Sequence, residues 1–194
     1  MAQTYTHNPR PVGGPVSFAL QGDRLTVDTG RKVQEVRLGA VESVRLTYEP
    51  GRVGQRAFRT RVVMQDGKAF TFTSLNWRSF IEAQELKGEY RAFTQALCAA
   101  IAAANPAARF IAGKPHWLWL ATVIVAAASL LAMAYLIWQA LRMGSTGVAL
   151  IGALLALVGI WQIEPMVRLN KPRSFRPDAV PGELMPKAAC GRPP

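Results

Sequence analysis

Cysteine and histidine are scarce in this chain, with two of each among 194 residues. Cys98 and Cys190 lie far apart, without CxxC spacing and without the dense, even pattern of a disulfide-stapled secreted domain. They read as free thiols of a reducing compartment. His7 and His116 are equally isolated, so neither belongs to a cluster with zinc-ligand spacing; no metal and no cofactor is expected. Met1–Pro15 contains Pro, Gly and His where a secretory signal needs an apolar run, so the N-terminal part is expected to be made in the cytosol. GxSxG, HExxH and P-loop motifs are missing, as is any paired His/Cys or His/Asp arrangement. Catalytic residues, an enzymatic reaction and a small-molecule substrate are therefore not expected.

Acidic residues are also in short supply: 12 Asp and Glu stand against 23 Lys and Arg, for a net charge of +11. Residues 1–116 contribute +7 of this, Arg142 +1 and the segment from Glu164 onward +3. A balance of this sign attracts anionic surfaces, meaning phospholipid headgroups or nucleic acid. Lipid is the expected partner and nucleic acid is not, because no nucleic-acid-binding motif accompanies the charge.

Charge of either sign is wholly missing from two stretches. Trp117–Leu141, WLWLATVIVAAASLLAMAYLIWQAL, and Met143–Ile163, MGSTGVALIGALLALVGIWQI, contain no Asp, Glu, Lys, Arg or His. As a helix the first would rise about 37 Å at ~1.5 Å per residue, more than the roughly 30 Å of a hydrocarbon core. Trp117 and Trp119 mark its start, Tyr135 and Trp138 its finish, and Trp161 the exit of the second run, positions that suit interfacial aromatic rings. The turn-like MGSTG places the helical part of the second run at 147–163, giving a transmembrane hairpin over 117–163 with both chain ends on one side. A single span followed by a re-entrant segment is the alternative for the Gly-rich second run. Arg109, Lys114, Arg168, Lys171, Arg173 and Arg176 flank the outer ends while Arg142 alone occupies the connection, so both ends are expected in the cytoplasm of an inner membrane. Without ionisable groups inside the spans, ion or proton transport by this chain is not expected. Small residues (Ala126–Ser129, Ala132, Gly152, Ala156, Gly159) permit close helix contact, either between the two spans or with a partner membrane protein.

Residues 15–105 have the pattern of a soluble domain. Leu25 and Val27, Val44, Leu46 and Tyr48, Phe58, Thr60, Val62 and Met64, and Phe70 and Phe72 each alternate with more polar neighbours, the period of half-buried antiparallel strands. Gly22-Asp23, Thr29-Gly30, Pro50-Gly51 and Asp66-Gly67 supply the turns, and the last reads as a hairpin. Five to seven short strands are expected in a small sandwich or barrel. Ser79 and Glu82 have capping-box spacing at the head of a short helical turn. Glu89–Ala104 then places Tyr90, Phe93, Leu97 and Ile101 at helical spacing, Asn105-Pro106 stops it, and Cys98 is a small filler against the sheet.

Strands first and one amphipathic helix last is the order of a pleckstrin-homology (PH) domain. VRLGAVESVRLTYEPGRVGQRAFRTRVVMQDGKAFTFTS followed by EYRAFTQALCAAIA resembles bacterial PH-like domains attached to membrane spans. The resemblance implies an α+β membrane protein: an antiparallel β barrel or sandwich closed by a C-terminal helix, joined to a two-helix hairpin. It implies an interaction or assembly module, and carries no residue-level signature. The arrangement here, with the domain before the spans, departs from members in which the spans come first.

The remaining segments are read as an N-terminal extension over 1–14, a linker over 106–116 and a Pro-containing basic tail over 164–194. Within Gly51–Arg61, Arg52, Arg56, Arg59 and Arg61 are concentrated, Arg59 and Arg61 share the outward face of their strand, and Arg45 belongs to a neighbouring one. Guanidinium groups grip phosphate with paired hydrogen bonds, so these five residues form a candidate patch for an anionic headgroup or an acidic partner; a merely solvated basic face is the other reading. The spaced prolines of the tail favour an extended course. Its Phe175, Val180, Leu184 and Met185 either anchor it to the domain or a partner, or leave it as a loose chain near the headgroups.

Overall fold

The computed structural model describes residues 3–50, 56–79 and 82–186. The chain is α+β and divides into two units, Met1–Ala112 together with Arg173–Pro194, and Gly113–Pro172.

The first unit is built on two meanders. Strands β1 (Gln3–His7), β2 (Val16–Gln21), β3 (Arg24–Asp28) and β4 (Val33–Arg37) pair antiparallel in sequence order. Strands β5 (Val41–Pro50), β6 (Arg56–Met64) and β7 (Ala69–Thr73) form the second meander. Gly67, with φ of +82°, turns β6 into β7. There the Met64 N–H donates to the Lys68 carbonyl at 2.8 Å, and the Lys68 N–H donates to the Asp66 carboxylate at 3.0 Å. A short hairpin, β8 (Leu75–Trp77) with β9 (Ala83–Glu85), leads into helix α1 (Lys87–Ala104).

The inward positions of both meanders meet the apolar stripe of α1. Phe18, Leu25, Leu46, Val62 and Phe72 from the strands and Tyr90, Phe93, Leu97 and Ile101 from the helix are each at most 2% exposed. Alternation of period two on the strands and 3.6 on the helix delivers these side chains to one interior. Burial on this scale, about 1.5–3 kcal/mol for each large apolar side chain, is what holds the unit together. Inside, the hydroxyls of Thr60 and Tyr90 are 2.7 Å apart and satisfy one another. Cys98 is fully buried and its thiol is pushed up to about 12, so it is an unreactive packing group.

Three segments outside the expected 15–105 domain belong to this unit. The N-terminal extension contains β1, because Tyr5 and His7 alternate with Thr4 and Thr6 and are both 1% exposed. Tyr5 stacks on Phe93 and donates its hydroxyl to the Thr73 carbonyl at 2.5 Å. The expected linker contains β10 (Arg109–Ala112), which lies parallel to β5. The tail contains β11 (Arg173–Ser174), antiparallel to β10, so the second sheet runs β11-β10-β5-β6-β7. The Phe175 N–H donates to the Phe110 carbonyl at 3.1 Å and the two rings meet edge to face. Leu184 and Met185 follow, 0% and 2% exposed, and Arg173 pairs with Glu183 at 2.9 Å. The tail is thus docked between Arg173 and Met185; of the apolar residues that the sequence singles out, Leu184 and Met185 are buried and Phe175 and Val180 half-buried.

Ser79 and Glu82 lie between the paired strands β8 and β9 and not at the head of a helix. The Glu82 N–H does donate to Ser79 Oγ at 3.1 Å, as a capping box requires. The Ser79 and Arg78 N–H groups, however, both donate to the Glu82 carbonyl, and the chain continues as β9. The helix starts at Lys87 with Gly88 inside its first turn.

The second unit is a pair of antiparallel helices, α2 (His116–Arg142) and α3 (Thr146–Leu169), both slightly longer than the uncharged runs. Gly144, at φ +74°, makes the turn between them, and the Ser145 N–H donates to the Ala140 carbonyl at 2.9 Å. Ala140 and Ala149 are buried, and Gly152 lies against the Ile137 side chain. The hydroxyls of Thr122 and Ser129 donate back to Leu118 and Val125 carbonyls one turn earlier, the usual way a polar side chain is satisfied in an apolar helix. Both helices are long and apolar enough to cross a membrane.

Two outcomes are expected from this architecture. Burial holds the His7 imidazole down at about 4, whereas in the unfolded chain it takes a proton near its ordinary pKa of about 6.5. Stability is then level above about pH 6.5 and falls as the pH drops toward 4, by up to ~1.4 kcal/mol per unit. Near-UV circular dichroism melts of the detergent-solubilised chain should show this fall, and His7→Phe should flatten it. Leu184→Ala should cost about 2–5 kcal/mol by the same melts, since its side chain is fully enclosed.

Candidate functional site

The outward face of the second sheet gathers three of the five arginines. In β5 the odd positions Ser43, Arg45, Thr47 and Glu49 point outward, and in β6 the outward residues are Arg59, Arg61 and Val63, because their even neighbours fill the core. Register then sets Arg45 directly opposite Arg61, with Thr47 opposite Arg59. On β7, Thr71 stands beside Arg61 and Thr73 beside Arg59. On the other side, Ile111 of β10 stands beside Arg45, and Ser174 of β11 beside Ile111. A single row across the sheet therefore reads Ser174, Ile111, Arg45, Arg61, Thr71.

The charges on this face are unevenly balanced. Arg59 reaches Glu49 at 2.7 Å, and Arg109 is paired with Glu42. Between these two pairs lie Arg45 and Arg61, facing cross-strand partners whose Cβ atoms in such a register are ~4.5–5.5 Å apart. Like charges in this relation repel. Arg45 is half-buried, and that burial together with the charge of Arg61 lowers its guanidinium from the ordinary value.

The other two patch residues are not brought to this place. Arg56 has the inward parity of β6 and stands at the strand's beginning, opposite Pro50, where its N–H donates to Glu85 Oε1 at 3.3 Å. Arg52 lies outside the described residues. Thr71 was legible as an outward position, since it alternates with Phe70 and Phe72. Its place beside Arg61 was not, because register is a property of two strands and not of one.

The aromatic residues at the helix ends have distinct surroundings. Trp117 and Trp161 are 72% and 73% exposed. The Trp119 indole N–H donates to the Val167 carbonyl of α3 at 2.9 Å, satisfying a carbonyl in the last turn of the helix that has no partner further along. At the connecting turn, Tyr135 and Trp138 meet at 5.9 Å, and the Arg142 guanidinium lies 4.7 Å above the Trp138 ring, a cation–π contact. Nearer the outer ends, an apolar groove of about 280 Å³ runs between Ala126, Ala127 and Leu130 of α2 and Ile160, Ile163 and Val167 of α3.

Helix contact is governed by Gly152 and not by Gly159. A Cβ at Gly152 would come within 3.0 Å of Ile137 Cγ1, whereas one at Gly159 would meet nothing within 4 Å. Gly152→Val should therefore destabilise the helix pair by about 1–3 kcal/mol more than Gly159→Val, the cost of overpacking a tight contact. Unfolding of the full chain in mixed micelles by increasing SDS measures the difference.

No known protein family, curated protein or solved structure matches the chain.

Proposed function

We propose that this chain is a membrane-anchored interaction module without catalytic activity. In this reading α2 and α3 cross the inner membrane as a hairpin, both chain ends lie in the cytoplasm, and the β domain is PH-like. The domain holds an acidic partner, an anionic lipid headgroup or an acidic protein surface, through the arginine face of its second sheet. The observation that carries the reading is the insertion of the apolar pair between two paired strands: Ala112, the last residue of β10, and Arg173, the first of β11, are register partners. The segment leaving the domain and the segment returning to it thus start from adjacent points, as a hairpin with both outer ends on one side of a bilayer requires. Four flanking cations beyond the second run and two before the first, against Arg142 at the turn, give the cytoplasmic orientation. The PH-like reading is supported by the order of elements, a four-stranded meander, a three-stranded meander and then a helix.

A second reading, an accessory subunit of a larger membrane complex, is favoured by the apolar groove between α2 and α3, whose alanines leave room for a third helix to pack closely.

After alkaline carbonate extraction the chain should remain in the membrane pellet, and reporter enzymes fused to either end should be active only in the cytoplasm. Release into the supernatant, or a reporter active outside the cell, overturns the anchoring. For the subunit reading, mild detergents should preserve a particle much larger than the 21.2 kDa chain on native electrophoresis; migration as a monomer in each detergent rules it out.

A further inference from the structure

We infer that the apolar groove on the outer half of the α2–α3 pair holds an acyl chain of an anionic phospholipid, and that Lys114 and Lys171 meet its headgroup. This site rests on the anchoring proposed above and lies wholly within the second unit, apart from the arginine face of the β domain.

The groove runs along one side of both helices. Val123, Ala126 and Leu130 line it from α2, and Ile160, Ile163 and Val167 from α3. Steps of three and four residues keep each lining on one stripe of its helix, and the alanines make the stripe hollow. Its walls are apolar apart from Glu164, whose carboxylate is engaged by Arg168 at 2.6 Å. Left empty, the hollow would forfeit the dispersion contacts of its walls. Inside a bilayer the material at hand to fill it is hydrocarbon.

The depth of the groove distinguishes an acyl chain from a third helix. Helix α2 has 27 residues, a rise of about 40 Å at ~1.5 Å per residue, and Leu130, the lining residue furthest from the outer ends, stands near its middle. Ile160 likewise lies in the outer half of α3, nearer Leu169 than Thr146. The groove is therefore confined to one leaflet of a hydrocarbon core of roughly 30 Å. A spanning helix packs along the whole core, whereas an acyl chain stops near the midplane, as the groove does.

The outer mouth of the groove is basic. It is marked by the Trp119 indole, which donates to the Val167 carbonyl at 2.9 Å. One turn further out the two chain segments are pinned together. The Lys114 N–H donates to the Asn170 carbonyl at 3.0 Å, and a Cβ at Gly113 would come within 2.5 Å of the carbonyl oxygens of Asn170 and Lys171. Lys114 and Lys171 are thereby neighbours, the first half-buried and the second exposed. Neither side chain has an ion-pair or hydrogen-bond partner among the described residues. Lysine stems lie along apolar surface while the ammonium groups stay at headgroup level. Two ammonium groups at the mouth of an apolar groove complement a lipid with a net negative headgroup; a zwitterionic headgroup brings a cation of its own. The turn end lacks this combination, because the groove does not reach it and its cation, Arg142, lies 4.7 Å above the Trp138 ring.

The test uses the full chain reconstituted into mixed vesicles of phosphatidylcholine and phosphatidylglycerol, with bromines midway along the acyl chains of one lipid or the other. Bromine quenches indole fluorescence on contact, and Trp117, Trp119 and Trp161 stand on the outer half of the pair. Quenching at equal mole fraction gives the relative affinity of the two lipids. Wild type should prefer phosphatidylglycerol by about tenfold or more, and Lys114→Gln and Lys171→Gln should each lower the preference by about three- to fivefold. The double variant should abolish it. Ala127→Phe fills the groove and leaves every charge in place; Ala127 is exposed, so the pair accommodates the ring, and the preference should fall by about threefold or more. Arg142→Gln removes one charge from the far end and should leave the preference within about twofold, since screening confines its reach. Equal quenching by the two lipids in wild type overturns the site, as does an unchanged preference in the double lysine variant or an equal loss in Arg142→Gln. An unchanged preference in Ala127→Phe overturns the groove and leaves only diffuse attraction to a charged bilayer. Quenching by neither lipid, in a chain that resists carbonate extraction, shows that a second copy or a partner helix covers the groove and overturns the lipid as its occupant. Quenching by neither lipid with release by carbonate sinks the anchoring and the site with it, whereas equal quenching by both sinks the site alone.

Discussion

The pairing of Arg109–Ala112 with Ser43–Leu46 and of Arg173–Ser174 with Ile111–Ala112 is the constraint on which this molecule's organisation depends. It joins segments about 60 residues apart in the chain, and everything between them is the apolar helix pair. The cost of closing so long a connection rises only slowly with its length, and here the intervening residues are themselves an ordered antiparallel pair whose ends come together. Closing the sheet and closing the hairpin therefore favour one another. The tail adds its own weight to the closure through Phe175 on Phe110 and through the burial of Leu184 and Met185. A two-residue strand pairs too weakly to hold alone; these apolar contacts are what make it persist.

Within the β domain the aromatic interior does the work of joining the two sheets. Tyr5 and Phe18 from the first meander meet Phe72 from the second and Tyr90 and Phe93 from α1, with ring centroids between 5.3 and 6.3 Å. Rings at these separations and tilted angles gain beyond the area they bury. His7 is enclosed in the same cluster, stacked on Tyr5 and Phe18, which is why its imidazole stays neutral. Among the described residues the interior is mainly apolar, with Thr60, Ser74 and Thr94 enclosed in it beside His7, while arginine and threonine occupy outward positions of β5 and β6.

Electrostatics on that face are set by strand register. Arg59 pairs with Glu49 and Arg109 with Glu42, and register sets Arg45 directly opposite Arg61. Exposed ion pairs of the first kind contribute little to stability. Like charges facing each other across the register, as Arg45 and Arg61 do, repel, which the fold tolerates because the surrounding strands are fixed by their core residues.

Much of this was legible in the amino-acid sequence, for a physical reason. Two uncharged runs of more than twenty residues, the alternation of Val44, Leu46 and Tyr48 or of Phe70 and Phe72, the Asp66-Gly67 turn and the 90-93-97-101 stripe are local patterns, and local patterns follow from backbone geometry. The strands at Gln3–His7 and Arg109–Ala112 were hidden because each is too short for its period to stand out, and their partners lie elsewhere in the chain. Ser79 and Glu82 misled because one side-chain-to-backbone bond serves a helix start and a strand connection alike. That Arg59 and Arg61 point the same way is contained in the sequence. That Arg45 faces Arg61 rather than Arg59, that Arg56 stands apart, and that the tail returns to β10 were decided only by register and packing, which depend on contacts between segments no local pattern can see.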